Sequence, residues 1–227
     1  MTDNNPRPSN EKKRIAFELA LVYVLLMILI SVSSRIVAFG TATASKMMLS
    51  VAVYVLFVAV PILAMRFGKI SLSELGFTRY HIGKQLLNAL LIFIATILLV
   101  LLPLLFGADK TNVLSFKSSS LEVLIFYLLY DLFCVGFGEE LVFRGYFYAR
   151  ISAFTRIAWM PAVFSAVLFG MIHFPNTHNL INVAATAGLG FIYGLCRWKL
   201  KDCSLLSLSL AHGLHDAVII LLSYLIL

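Results

Sequence analysis

LEVLIFYLLYDLFCVGFGEELVFRGYFYAR, residues 121–150, is apolar over a membrane-crossing length yet carries Asp131, Glu139, Glu140 and Arg144 in its middle. As one α-helix it would run roughly 45 Å, against about 30 Å of bilayer hydrocarbon. It must therefore tilt or protrude. The preceding SSSLE offers Ser119 as an N-cap with Glu122 three positions later, a capping-box spacing that predicts where the helix starts. An ionised group at the centre of a bilayer costs about 2.5–3.5 kcal/mol on insertion scales. Groups kept there need partners or a function.

Outward from this stretch the chain repeats the same apolar texture. Of its 227 residues 61% are hydrophobic and 13% charged, and mean hydropathy is +0.95. That composition belongs to the membrane class. Seven spans are predicted: Ile15 to Val37, Met47 to Met65, Leu86 to Phe106, Leu121 to Arg150, Ala158 to His173, Leu180 to Trp198 and Ser204 to Leu227. The expected fold is all-α: a polytopic helical bundle of about seven transmembrane helices around an intramembrane active-site cavity. Residues 1–13 read as a disordered cytoplasmic tail and 14–227 as a single membrane-embedded domain. Residues 70–85, ISLSELGFTRYHIGKQ, read as a short helix at the cytoplasmic interface, with His81 a surface histidine. The first apolar stretch is too long for a secretory signal and no small-residue cleavage site follows it, so it is expected to stay in the mature protein.

The net charge of +7 is explained by topology rather than by nucleic acid, which is not an expected partner. With a cytoplasmic N-terminus, thirteen of the eighteen basic residues, among them Arg14, Arg66, Lys84, Arg150 and Lys201, fall on cytoplasmic segments. The other face receives Arg35, Lys46, Lys110 and Lys117. This is the positive-inside asymmetry. An integral, multi-pass protein of a bacterial cell membrane is the expected setting. Cys134, Cys196 and Cys203 lack zinc-type spacing and read as small buried hydrophobes.

The polar residues left inside spans are few: Glu18, Asp131, Glu139, Glu140, Arg144, His173, His212, His215 and Asp216. Glu140 and Arg144 stand four apart with the acid first, the favourable order for an ion pair along one helix face. Glu139 points about 100° away from that face and is free to meet another helix. His212 and Asp216 are also four apart and share a side of the last helix, while His215 lies on the neighbouring stripe. Counting inward from Arg150 and from Ser204, Glu139 and His212 lie at depths of roughly 16 Å and 12 Å, which lets them meet.

One carboxylate and two histidines on three helices suit hydrolysis. A carboxylate in an apolar surround becomes a competent base for water, and donors nearby can hold the oxyanion that forms when water attacks a carbonyl. The set Glu139, His173 and His212 equally matches a two-histidine, one-carboxylate zinc site, so the cofactor is either none or zinc. Neither HExxH nor GxSxG occurs, and no histidine lies near Cys134 in sequence.

EELVFR, FGMIH and HGLHD resemble the EExxxR, FxxxH and HxxxN/D motifs of the CAAX-processing endopeptidase and bacteriocin-immunity family, the Abi or CPBP intramembrane proteases. The motifs fall in the family's order over about residues 120–220. The resemblance implies that Glu139 and His173 activate the attacking water, that Glu140 and Arg144 brace the site as an ion pair, and that His212 and Asp216 hold the oxyanion or complete the site. It also implies a lipid-embedded enzyme acting on a peptide or the prenylated C-terminus of a protein. Position 216 is more often Asn in the family. An ionised aspartate cannot donate a hydrogen bond, which turns Asp216 toward orienting His212. Two other readings stand beside the protease. One is a non-catalytic membrane protein, either a proton-coupled transporter or a binding-type immunity protein, because intramembrane Glu and His also relay protons. The other is a scaffold whose polar cluster only locks helix packing.

Overall fold

A computed structural model describes residues 8–68, 70–110, 114 and 120–227, and the described residues form helices without strands. Among the described residues, six helices are long and apolar enough to cross a membrane: α1 (Ser9–Ala38), α2 (Thr43–Gly68), α3 (Ile82–Leu105), α4 (Leu121–Phe154), α7 (Leu180–Lys199) and α8 (Leu205–Ile226). Between α4 and α7 lie α5 (Met160–Met171) and the single turn α6 (Phe174–Thr177). The chain is thus an integral, multi-pass membrane protein whose outer surface is apolar, with Leu25, Leu63, Leu90 and Phe133 among many exposed hydrophobics. The fifth predicted span is the departure. Its helix has 12 residues, about 18 Å of rise, and stops short of His173.

α8 is the central helix. Half of its most apolar window is buried, against 17–22% for the other five long helices. It packs on α3 and on the middle of α4, while α5 lies along α7 and α1 along α2. Glycine makes the α4–α8 crossing close. A Cβ at Gly136 would stand 2.5 Å from the backbone nitrogen of Gly213, and one at Gly213 would stand 2.7 Å from the Leu132 carbonyl oxygen. No side chain fits between the two backbones, which is how small residues let membrane helices approach.

One end of the bundle is tied together by polar contacts. Glu18 pairs with Arg150 and accepts a hydrogen bond of 2.9 Å from Tyr146, joining α1 to α4. The Leu205 amide donates to the Gly76 carbonyl at 3.0 Å. Arg197 donates to the Glu74 carbonyl at 3.1 Å and lies 4.4 Å over the Tyr148 ring. Buried Gln85 is satisfied on every side: its amide donates to the Thr78 and Tyr80 carbonyls, its side-chain oxygen accepts from Ser204, and its own carbonyl accepts from Ser207 at 2.9 Å. Ser204 and Ser207 also cap α8 reciprocally.

Several local expectations are corrected. The cap of α4 is Ser120, whose side chain accepts from the Val123 amide at 3.3 Å; Ser119 lies outside the described residues. Residues 70–81 form turns rather than an interfacial helix. The Glu74 carboxylate accepts from the Ser71 amide and hydroxyl, both at 2.7 Å, and Gly76 adopts φ +95°. A helix cannot run through a left-handed residue. His81 does lie at the surface, as expected, and there its Nδ1 lies 2.8 Å from Asp202, a hydrogen bond that holds the Asp202 carboxyl below the usual carboxylate range. α1 begins at Ser9, so residues 9–13 are helical, while residues 1–7 of the expected tail lie outside the described residues.

Candidate active site

The middle of α4 is built differently from its ends. Two π-helical segments, Asp131–Val135 and Leu141–Phe147, flank the short α-helical piece Gly136–Glu140. Such wide turns re-aim the side chains beyond them and recur at functional sites. Here they present the two adjacent glutamates to different neighbours. Glu140 is fully buried, and Glu139 keeps 9% of its surface exposed.

Glu140 joins α4 to α8. Its Oε1 accepts from Arg144 Nη1 at 2.9 Å along its own helix and from His212 Nδ1 at 2.9 Å across to α8. The Arg144 guanidinium is fully buried, 4.3 Å from the Phe169 ring and 5.4 Å from the Tyr193 ring. This planar cation stacked on aromatic faces has room only because residue 190 is glycine, where a Cβ would come within 2.8 Å of Arg144 Nη2.

His212 has a carboxylate at each nitrogen. Opposite Glu140, its Nε2 faces Asp216 Oδ2 at 3.3 Å and Glu139 Oε2 at 3.8 Å. Carboxylates only accept, so both ring nitrogens are placed to donate. The Tyr193 ring lies 5.2 Å from the imidazole, tilted by 33°. Phe169 touches His212 edge-on at 5.8 Å and His173 edge-on at 5.0 Å. His173, in the turn after α5, sets its Nδ1 2.8 Å from the Phe169 carbonyl. A carbonyl can only accept, so Nδ1 carries the proton and Nε2 is left with its lone pair in the neutral ring.

The structure thus joins Glu139, Glu140, Arg144, His212 and Asp216 by direct contacts and brings His173 in through the shared Phe169 ring. His215 is buried on the same helix, outside this chain of contacts. Two residues outside the motifs join the site. Asp131, buried in the first π-helical segment, lies within electrostatic reach of Asp216, Glu139 and His212. Tyr54 of α2 donates from its hydroxyl to Glu139 Oε1 at 2.5 Å. Asp131 was visible as an intramembrane acid, but no local signal marks Tyr54.

Zinc fits this arrangement poorly. A ligating histidine must present a lone pair, and both nitrogens of His212 are taken up with carboxylates. Among the described residues no three His, Cys, Asp or Glu side chains converge as a metal cage. Beside Glu139 an apolar groove of about 420 Å³ opens between α2 and α4, lined by Tyr54, Val58, Leu63, Phe133, Phe137 and Gly138 among others.

Residues 121–218 match the Rce1-like family, type II CAAX prenyl endopeptidases. The match runs from the start of α4 to two residues beyond Asp216, a little under half of the chain, and contains all three motifs. It bears out the resemblance to the CAAX-processing endopeptidases read from those motifs. Over these residues, which hold the late helices and the motifs, the chain is similar to the type II CAAX prenyl endopeptidases. No curated protein and no solved structure matches the chain.

Proposed function

We propose that this protein is an intramembrane endopeptidase that hydrolyses a peptide bond in the C-terminal tail of a lipid-modified protein, using water activated by Glu139 and His173. The observation that carries the reading is the meeting of Glu139 Oε2, His212 Nε2 and Asp216 Oδ2 in one buried cluster next to the apolar groove. A polar centre for the chemistry beside an apolar slot for a hydrocarbon tail is what a substrate half in lipid needs. The groove is also what favours this substrate class over bacteriocin immunity or the maturation of an unmodified peptide.

Water held between Glu139 Oε2 and His173 Nε2 attacks the scissile carbonyl carbon and gives up a proton to these groups. Negative charge then develops on the carbonyl oxygen, and the His212 Nε2–H serves as its donor. Asp216, an acceptor when ionised, acts by holding His212 rather than by donating to the oxyanion. Glu140 holds the other ring nitrogen, so the imidazole cannot turn away. Collapse of the tetrahedral intermediate breaks the C–N bond, and the proton held by Glu139 passes to the leaving amine.

The test is cleavage of a fluorogenic peptide bearing a prenylated cysteine tail by purified, detergent-solubilised protein. Wild-type protein is expected to cleave it, and Glu139→Gln to lose roughly 10²- to 10⁴-fold of the rate, the usual worth of a general base. A strong zinc chelator is expected to leave the rate unchanged. Chelator-sensitive cleavage restored by zinc would instead make Glu139, His173 and His212 a ligand set. Undiminished cleavage by Glu139→Gln would remove that residue from the mechanism.

A further inference from the structure

Tyr54 lies on α2, outside residues 121–218 and outside all three motifs. Its hydroxyl reaches Oε1 of Glu139 at 2.5 Å, while Oε2 of the same carboxylate is the oxygen on the His212 side. The tyrosine ring is held in turn. Tyr130 meets it edge-on at 5.3 Å, Phe57 packs against it at 5.5 Å, and Tyr130 is anchored by donating to the Ser50 carbonyl at 3.3 Å. Gly138, the residue before Glu139, leaves room for the ring: a Cβ there would stand 3.4 Å from two of its carbons and 2.9 Å from Val58.

The last torsion of a glutamate is broad, and an untethered carboxylate presents either oxygen in many orientations. A phenol on a braced ring removes that freedom. We propose that Tyr54 is a positioning residue for Glu139: it occupies Oε1, fixes the rotation of the carboxylate, and leaves Oε2 as the oxygen that takes the proton from water. The proposal rests on Glu139 acting as the base. It also gives α2 a part in the reaction, since Tyr54 lines the apolar groove as well.

Tyr54→Phe keeps the ring and the groove wall and deletes only the hydroxyl. With the prenylated peptide, kcat is expected to fall roughly ten- to a hundredfold, the scale of a small misplacement at a reacting group, with KM unchanged. A second readout needs no turnover. The infrared difference between the protein and its Glu139→Gln variant isolates the Glu139 carboxyl band, and that band is expected to shift when the Tyr54 hydroxyl is removed. A kcat equal to wild type, a loss carried by KM, or an unmoved carboxyl band would each overturn the proposal. Wild-type protein that cleaves nothing while the band still shifts would sink the hydrolytic reading and leave the tether between Tyr54 and Glu139 standing.

Discussion

Glu140 Oε1 ties α4 to α8 while serving its own helix, because it accepts from Arg144 and from His212 at the same 2.9 Å. The Arg144 half of this arrangement follows from sequence: acid and base four apart on an apolar helix have few other ways to be satisfied. The His212 half does not, since nothing in EELVFR says which other helix comes within reach. An ordinary interhelical hydrogen bond in a membrane is worth about 0.6 kcal/mol on average. Removing one member of a buried ion pair costs about 3–5 kcal/mol, because the other charge is left without its partner. The second effect should dominate here. Arg144→Met is therefore expected to destabilise the protein by several times the hydrogen-bond figure, and Glu140→Gln combined with Arg144→Met by less than the sum of the two single changes. Unfolding in detergent of the two single variants and the double variant measures this coupling. Strict additivity would mean that the pair is not a unit.

The π-helical segments of α4 show why a site can be named from sequence before its geometry is known. Neither DLFCV nor LVFRGYF carries a local mark of wide turns, and both would be read as ordinary helix. The register at the site is set across the interface, where Gly136 and Gly213 bring the α4 and α8 backbones together. The same tertiary origin hid Tyr54, whose role depends on where α2 passes. It also shortened α5, whose sequence is as apolar as that of a full span. Gly136→Ala is predicted to push α4 away from α8, because its Cβ would sit 2.5 Å from backbone that cannot rotate aside. Glu139 and His212 would separate with it, and a misplacement of about 1 Å can cost roughly a hundredfold in rate. Gly188 of α7 is the control. A Cβ there meets nothing within 4 Å, so Gly188→Ala should keep full activity and gain up to about 1 kcal/mol from helix propensity. Equal behaviour of the two variants in cleavage and unfolding assays would exclude a special role for the Gly136 crossing.

At the scale of the whole molecule, the bundle was legible because hydropathy and charge act over long stretches: every long helix coincides with an apolar run, and the basic residues sort by end. Arg14, Arg66, Lys84, Arg150, Arg197 and Lys201 mark the start of α1 and α3, the end of α2, α4 and α7, and the approach to α8. These termini are the ones joined by the Glu18–Arg150, Arg197–Glu74 and Leu205–Gly76 contacts, so the basic end is one physical face of the protein. Arg35 and Lys46 flank the α1–α2 turn at the other end. A membrane with an anionic inner leaflet and positive-inside insertion should place the first face in the cytoplasm. In a background lacking Cys134, Cys196 and Cys203, a membrane-impermeant maleimide added to intact cells is expected to label Thr41→Cys and to spare Lys84→Cys until the membrane is opened. The reverse pattern would invert the protein. It would also move the apparatus around Glu139, about 16 Å inward from Arg150, to the side of the bilayer where prenylated cytoplasmic tails do not reach.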